Sequence, residues 1–244
     1  AQRYFAIKKS YARRALDKLL SEEGNLDETE QSSDESKEEK EERSPLNKLR
    51  METVKQAVLE SGASSVIDLG CGECRLTAML LNESQIKKVT ACDVAVSELE
   101  KAAKRLNLDR MATYKKNKLT LMQASLTYRD KRFEGYDCAC AIEVIEHIEP
   151  TRISAFERSI FEFACPRTVI ITTPNKEYNV NYEKMNENDL RHGDHRFEWT
   201  REQFKQWTQS VCDKFGYSCK ISEIGEIDGQ VGAPTQMGVF TKNG

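Results

Sequence analysis

Long apolar runs are absent from the 244 residues of this chain, whose mean hydropathy is −0.65. No stretch of about 18 uncharged apolar residues occurs, which argues against a transmembrane helix. The chain also lacks a charged-then-apolar signal peptide at its start. These absences predict a cytoplasmic protein that has no membrane partner and is long enough to bury a sizeable core.

A disulfide framework and a zinc motif are also lacking, although the chain has eight cysteines. Cys71 and Cys74 have the spacing of a metal-binding pair, but no second Cys-x-x-Cys or histidine pair follows at zinc-finger distance. Most of the cysteines lie in apolar stretches, such as Cys138–Ile142. Disulfide frameworks belong to small, loop-rich secreted chains. We therefore predict reduced, mostly buried thiols.

Charge is distributed unevenly along the chain. Residues 21–43 hold eleven acids and three bases, a net charge of −8, whereas the whole chain has −3, so the remainder carries +5. The acidic run has almost no apolar residues, which predicts a solvated, disordered linker. Residues 1–20 are predicted to form a basic helix. The main domain is predicted at 44–244, starting at Ser44-Pro45, a typical helix start.

Helix and strand signals alternate through the predicted main domain. Helices are predicted at about 45–61, 74–82 and 95–106 and at Thr200–Phe215. Strands are predicted at Ser65–Leu69, Lys88–Asp93, Leu119–Gln123, Tyr136–Ile142, Thr168–Thr172, Ser218–Ile224 and Gln236–Thr241. This alternation predicts an α/β fold with a mostly parallel sheet of about seven strands. In such sheets the ligand site lies at the carboxyl ends of the strands.

The first predicted strand ends in a glycine loop, Asp68-Leu69-Gly70-Cys71-Gly72. Two glycines at this spacing allow the backbone to approach a ligand closely. A dinucleotide-binding loop would need a third small residue near position 75, where this chain has Arg75. The loop is therefore not typical of NAD binding, and its plainest alternative is a tight strand-to-helix turn.

The loop resembles that of the Rossmann-like S-adenosylmethionine-dependent methyltransferases. The resemblance implies that Gly70 and Gly72 make room for the amino-acid and ribose part of the cofactor. Asp68 would support the turn or bind the cofactor's ammonium group. Asp93, at the end of the second strand, would accept hydrogen bonds from both ribose hydroxyls. The segment containing Ser125 and Leu126 would hold the adenine.

A second motif follows the fourth strand, where Glu143, Glu146 and His147 are spaced at i, i+3 and i+4. In a helix these side chains project from one face. Two carboxylates and an imidazole at the cofactor end of the sheet favour a bound cation, because burying that negative charge alone is costly. A fourth ligand would come from His192 or His195, and spacing alone leaves both open.

The mixed oxygen and nitrogen ligands suit Mg²⁺ or Mn²⁺ better than zinc. A six-coordinate ion held by four side chains keeps two positions open, which suit the two neighbouring hydroxyls of a ribose. Coordination lowers the pKa of a hydroxyl and favours the alkoxide. The sulfonium of the cofactor would then be the electrophile for methyl transfer.

Five segments together resemble the small-RNA 3′-terminal ribose 2′-O-methyltransferases; they are Asp68–Cys74, Ser125–Asp130, Glu143–His147, Thr172–Asn179 and Asp194–Arg201. The resemblance covers about residues 44–244. It implies that the metal ligands, and with them the catalytic residues, are Glu143, Glu146, His147 and His195. It also implies transfer of a methyl group to the 2′-hydroxyl at an RNA 3′ end.

The details are most similar to the bacterial branch of this family. There the methyltransferase is the C-terminal part of a longer RNA-repair protein, paired with a polynucleotide kinase–phosphatase–ligase. Residues 1–20 would then be the tail of the preceding region. Arg191, Arg196 and Arg201 surround His195 in the sequence and are predicted to contact the terminal phosphates of the RNA. The expected role is RNA repair or protection of small-RNA ends.

Two other functions are compatible with parts of this pattern. A metal-dependent O-methyltransferase acting on a small diol would use the same hydroxyl chemistry without needing the basic loop. A non-catalytic module that binds RNA or activates a ligase would keep the cofactor fold but would not need the full set of four ligands.

Overall fold

The computed structural model describes residues 45–182 and 189–244. The predicted basic helix at 1–20 and the acidic linker at 21–43 lie outside the described residues. The domain boundaries therefore stay a prediction. None of the described helices has the length and apolar character needed to cross a membrane.

Helices and strands alternate along the described residues. The helices are α1 Pro45–Glu60, α2 Arg75–Leu80, α3 Val96–Arg105, α4 Thr113–Lys116, α5 Ile153–Glu157 and α6 Arg201–Phe215. The strands are β1 Ser65–Leu69, β2 Lys88–Asp93, β3 Leu119–Gln123, β4 Cys138–Ile142, β5 Thr168–Pro174, β6 Tyr217–Ile224 and β7 Thr235–Lys242. Short 3₁₀ turns lie at Leu108–Arg110, Lys131–Phe133, Ile145–His147, Pro150–Arg152 and Lys176–Asn181, and a π-helical segment at Arg158–Ala164 extends α5.

All seven strands form one sheet in the order β3-β2-β1-β4-β5-β7-β6. The first five in chain order pair in parallel, and β7 is antiparallel to both β5 and β6. The strand order reverses between β1 and β4, which is the position where doubly wound sheets bind ligands. The predicted fold class, a Rossmann-like α/β fold with a mostly parallel sheet, is confirmed.

Alternate residues of the central strands enter two different hydrophobic clusters. Val66 and Ile170 belong to the cluster that includes α1 residues, such as Val54. Ile67 and Ile171 belong to the cluster that contains side chains of α5 and α6. Since side chains alternate across a strand, both faces of the sheet are covered by helices and the central strands are apolar throughout.

The predicted strands agree with the structure to within two residues at either end. The structure adds two helical segments that the sequence analysis does not predict: the single turn α4, and α5 with its π-helical extension, from Ile153 to Ala164. In the second segment the buried residues Phe156, Ile160 and Ala164 lie on a helical spacing. An amphipathic pattern was therefore available in the sequence.

Asp137 joins the start of β4 to the start of β1. Its Oδ2 atom accepts hydrogen bonds from the backbone N–H groups of Ser64 and Ser65, both at 2.9 Å, and from both serine hydroxyls at 3.0 Å. The backbone hydrogen bonds from Ser64 and Ser65 lower the pKa of Asp137 from 3.8 to about 2. The ionised carboxylate thus stabilises the two central strands where they begin.

We predict that Asp137→Asn lowers the free energy of unfolding at pH 7 by about 1–2 kcal/mol, less than the full pKa shift implies because water screens this near-surface group. The folded-state pKa is depressed, so the stabilisation is present above pH 3.8 and is lost as the pH falls towards 2. Urea denaturation at pH 7, 4 and 2.5 measures this. Asp109→Asn, at an exposed position, is the control. An equal Asp137→Asn deficit at all three pH values would contradict the prediction.

Candidate active site

The glycine loop after β1 is fixed by two carboxylates. Asp68 is buried and accepts a hydrogen bond of 2.7 Å from the Thr77 hydroxyl, and burial raises its pKa to about 6. Asp93 accepts one hydrogen bond from the Gly72 N–H at 3.0 Å and another from the Ala95 N–H at 2.9 Å. The loop is therefore already shaped by the protein's own groups, before any ligand binds.

Gly70 brings the glycine loop against the segment that follows β4. Its φ is +71°, and a Cβ atom built on it would lie 2.7 Å from Cγ2 of Val144. Any side chain here would therefore displace either the loop or Val144. At Gly72 φ is +48° and a Cβ would meet nothing within 4 Å, so that position is open.

The segment Glu143–His147 is not the regular helix that the sequence analysis considered. Glu143 has a left-handed φ of 53°, Val144 has φ −126° and ψ −41°, which is neither regular helix nor extended strand, and Ile145–His147 form a 3₁₀ turn. A left-handed backbone costs about 1–2 kcal/mol for a residue with a Cβ. The Glu143 N–H compensates by donating to the backbone carbonyl and the hydroxyl of Thr172, both at 3.1 Å.

Three of the predicted ligands lie together. Glu146, His147 and His195 each offer a ligand atom, and these atoms lie within 4.8 Å of one another. His195 rather than His192 belongs to this group, although the His192 ring centroid lies 5.0 Å from that of His195. Among the described residues no group containing cysteine offers such a set of ligand atoms.

Each histidine of this cluster is held by a carboxylate at its Nδ1 atom. His147 Nδ1 lies 2.8 Å from Asp194 Oδ2, and His195 Nδ1 lies 2.6 Å from Glu198 Oε1. Such pairs orient the ring and leave Nε2 as the ligand nitrogen in many metal sites. Burial lowers the pKa of His147 although Asp194 opposes the shift, which favours the neutral ring that a metal requires.

Glu198 stays ionised although it is buried. Burial raises its pKa, but hydrogen bonds from His195 and Asn179 and from the backbone of Arg191 hold the net value below the usual range. Glu198 is therefore an anion that orients the His195 ring.

Glu146 is the group in this cluster whose burial is not fully offset by hydrogen bonds. It is fully buried; its Oε2 accepts from the Thr173 hydroxyl at 3.0 Å, and its Oε1 has no hydrogen-bond partner. Burial raises the pKa of Glu146 well above its usual value, and the nearby charge of Glu143 adds to the effect. A divalent cation between this oxygen and the two imidazoles would supply the missing partner, so the residues fit a metal.

Glu143 lies outside the three-residue cluster. Its carboxylate pairs with the guanidinium of Arg50 at 3.0 Å and accepts from the Thr172 hydroxyl at 2.9 Å. Arg50 is 2% exposed and also donates to the Thr235 hydroxyl at 3.0 Å. Whether Glu143 is a metal ligand stays a prediction.

Arg50 is a site residue that the sequence analysis missed. It lines the same cavity as the glycine loop and His195. The available signal was its position on α1, where Arg50, Val54 and Val58 form one buried stripe at intervals of four. A charge in an apolar stripe needs a buried partner, but the sequence does not name that partner.

One cavity of about 740 Å³ connects both halves of the candidate site. The predicted cofactor residues that line it are Asp68, Gly70, Gly72, Asp93, Ser125 and Leu126. The predicted ligands Glu143, His147 and His195 also line it. Two small molecules or groups bound at these two sets of residues would therefore share one enclosure.

The three predicted RNA-contacting arginines differ in their surroundings. Arg191 donates to the carbonyls of Asn175 and Pro234 and to the side chain of Asn179, so its guanidinium is engaged within the fold. Arg201 forms a two-pronged pair with Glu177. These contacts give both residues a structural role, because few of their donors remain for phosphate.

Arg196 is the predicted RNA contact with the looser ion pair: its Nε lies 3.4 Å from Glu149 Oε1, whereas Arg201, 42% exposed, lies 2.7 Å from Glu177. The Arg196 side chain is 47% exposed, and its backbone N–H donates to the Glu146 carbonyl at 2.7 Å. That hydrogen bond fixes Arg196 beside the cluster of ligand atoms. Phe197 and Trp199, which follow Arg196 in the chain, pack against the hydrophobic core.

All eight cysteines are free, and Cys71 and Cys74 are not part of a group of metal ligands among the described residues. The sequence analysis predicts reduced thiols, and none of the eight is placed in a disulfide pair. Four of the eight are buried, and the other four are half-buried.

The family model described as Methyltransferase domain matches residues 67–170, which include the glycine loop and the Glu143–His147 segment. A small RNA 2′-O-methyltransferase from Xenopus tropicalis is 35% identical over 208 residues, covering 82% of this chain and 55% of the relative. The chain thus spans about half the length of this curated relative.

Two solved structures have the same fold. The bacterial-CtHen1-C methyltransferase domain is 50% identical, with a TM-score of 0.75, covering 82% of this chain and 100% of that chain. A chain of the Pnkp1/Rnl/Hen1 RNA repair complex is 23% identical, with a TM-score of 0.62, covering 82% of this chain and 42% of that chain; it shows the fold alone. On the identity to the Xenopus relative and the bacterial domain, this chain belongs to the small RNA 2′-O-methyltransferase family.

Proposed function

We propose that this chain transfers the methyl group of S-adenosylmethionine to the 2′-hydroxyl of the 3′-terminal ribose of RNA. The observation that carries the proposal is the single cavity lined by the glycine loop, Asp93, His147 and His195. Holding donor and acceptor in one enclosure is what a direct transfer requires. The family of the chain and the name of its Xenopus relative support an RNA acceptor.

The cofactor half of the cavity is proposed to bind S-adenosylmethionine. Gly72 leaves room beside the backbone, Gly70 lets the loop pack closely against Val144, and Asp68 supports the turn through Thr77. The Asp93 carboxylate is oriented by two backbone N–H groups and has acceptor capacity left for the ribose hydroxyls. Ser125 and Leu126 line the same cavity and would contact the adenine.

The acceptor half is proposed to hold Mn²⁺ or Mg²⁺ through Glu146, His147 and His195, with Glu143 as the fourth ligand. The support is the unpartnered Glu146 oxygen and the two imidazoles oriented by Asp194 and Glu198. When bound, such a cation lowers the pKa of a coordinated hydroxyl.

The protein groups around the acceptor set its orientation and charge. Asp194 and Glu198 keep the histidine rings in place, and Arg196 is placed to bind a phosphate of the RNA. In the transfer the S–CH₃ bond breaks as the O–CH₃ bond forms, and the 2′-hydroxyl proton is released. The carboxylates near the two histidines would repel an additional phosphate on the terminal ribose.

The cellular setting we propose is RNA repair, with a polynucleotide kinase–phosphatase–ligase as partner, or protection of small-RNA ends. The 50% identity to a bacterial methyltransferase domain supports the bacterial branch. The chain in the RNA repair complex adds only a likeness of fold.

We predict that one short RNA accepts methyl groups only when it ends in a 2′,3′-diol. The same RNA with a 3′-phosphate or a 2′-deoxy end is expected to accept at least about 100-fold less, because repulsion or loss of the acceptor removes productive binding. Transfer of labelled methyl from S-adenosylmethionine is measured with Mn²⁺, Mg²⁺ or chelator. Equal labelling of all three ends would point to base methylation, and transfer that survives the chelator would remove the metal from the proposal.

We predict that Glu146→Gln abolishes the rise in thermal midpoint that Mn²⁺ produces in the wild-type protein. Transfer is expected to fall by about 100-fold or more, because even outer partners of metal ligands are worth about 10–100-fold. Affinity for S-adenosylmethionine, measured by calorimetry, stays within about twofold, since Glu146 does not line the cavity.

The matched control is Glu100→Gln on α3, an exposed residue that does not line the cavity. It should keep both the Mn²⁺ response and the transfer rate. A Glu146→Gln protein with an intact Mn²⁺ response would show that the cluster does not hold the metal.

A further inference from the structure

One aromatic side chain at the cavity is exposed without an evident structural reason. Tyr128 lines the cavity, yet its residue is 63% exposed, among the more exposed large apolar residues that the structure describes. An aromatic ring left in water forgoes a large burial energy. The ring is therefore available to a flat ligand entering the cavity.

The Tyr128 ring is paired with a cation, and the Tyr128 backbone is held by a hydrogen bond. The guanidinium of Arg152 lies 5.0 Å from the ring centroid, and it donates to the Thr127 hydroxyl at 3.0 Å. The buried Ser159 hydroxyl donates to the Tyr128 carbonyl at 2.9 Å. Both partners of this pair are thus held in place by the protein itself.

The pair lies on the wall of the cavity that also carries the acceptor cluster. Arg152 follows His147 by five residues, and His147, Ile148 and Glu149 line the cavity between them. A terminal ribose held at His147 would therefore have its own base next to this wall. The proposed adenine contacts, Ser125 and Leu126, precede Tyr128 in the same loop after β3, whereas Arg152 belongs to the 3₁₀ turn that follows His147.

We propose that Tyr128 and Arg152 form a stacking platform for the 3′-terminal nucleobase of the RNA, an inference that rests on the proposed function. A tyrosine ring stacks on any base, because every base has a flat π-face, and an adjacent guanidinium strengthens such contacts. The platform would thus require a base at the 3′ end but would not distinguish one base from another. It places the terminal ribose without limiting the sequence of the RNA.

The test compares equilibrium binding of two RNAs that share a terminal 2′,3′-diol. One has a normal 3′-terminal nucleotide and the other has an abasic ribose there, and both are titrated with Mn²⁺ and S-adenosylhomocysteine present. Wild-type protein should bind the base-bearing RNA about 10-fold more tightly, as expected for one stacked base. Tyr128→Ala should lose this preference, whereas Tyr128→Phe should keep it.

Tyr114→Ala is the matched control, since Tyr114 is 61% exposed and does not line the cavity. It should bind both RNAs as the wild type does. Changing the terminal base among all four should alter wild-type affinity by no more than about threefold. Tyr128→Ala should also keep its thermal midpoint, because the ring is exposed.

Three results would overturn the platform. The first is equal affinity of the wild-type protein for both RNAs. The second is a Tyr128→Ala protein that keeps the preference for the base-bearing RNA. The third is a Tyr128→Ala protein whose Kd for S-adenosylmethionine rises while its Kd for RNA does not change. The last would assign the ring to the cofactor's adenine. A preference for the base-bearing RNA without any methyl transfer would instead reject the proposed function and leave the platform standing.

Discussion

A carboxylate buried with one oxygen unpaired is the constraint around which the candidate site is arranged. Glu146 accepts one hydrogen bond, from Thr173, and its other oxygen has no partner. Burying a polar atom without a hydrogen-bond partner costs free energy, so such an atom in a native fold needs a functional explanation. Two histidines oriented by their own carboxylates surround it, and its backbone carbonyl accepts from Arg196. The last contact ties the loop that carries His195 to the end of β4.

Much of the fold could be predicted because its signals are local. Strands β1, β2 and β4 are short apolar runs that end at glycine or an acid, and the local pattern is sufficient to locate such runs. The cofactor half of the site could be predicted for the same reason. Asp68, Gly70 and Gly72 lie within five consecutive residues, and parallel strands bring Asp93 and Ser125 to the same edge.

The acceptor half could be predicted only in part, because its geometry depends on distant contacts. Arg50 and Glu143 are 93 positions apart in the sequence, yet they form one buried ion pair. The left-handed backbone at Glu143 depends on Thr172, which lies in the neighbouring strand. The residue pattern of a single segment gives no information on either contact. The spacing of Glu143, Glu146 and His147 therefore predicts a helix, although the segment is a strained turn.

The contacts of Arg191 have a consequence for how tightly the site could bind a cation. Residues 189–200, which include His195, form no regular helix or strand among the described residues. Arg191 joins this loop to the Asn175 and Pro234 carbonyls, with Asn179 as a further acceptor. The loss of conformational entropy on ordering the loop therefore occurs when the chain folds and not when the ligand arrives. An irregular loop can in this way act as a preorganised ligand set.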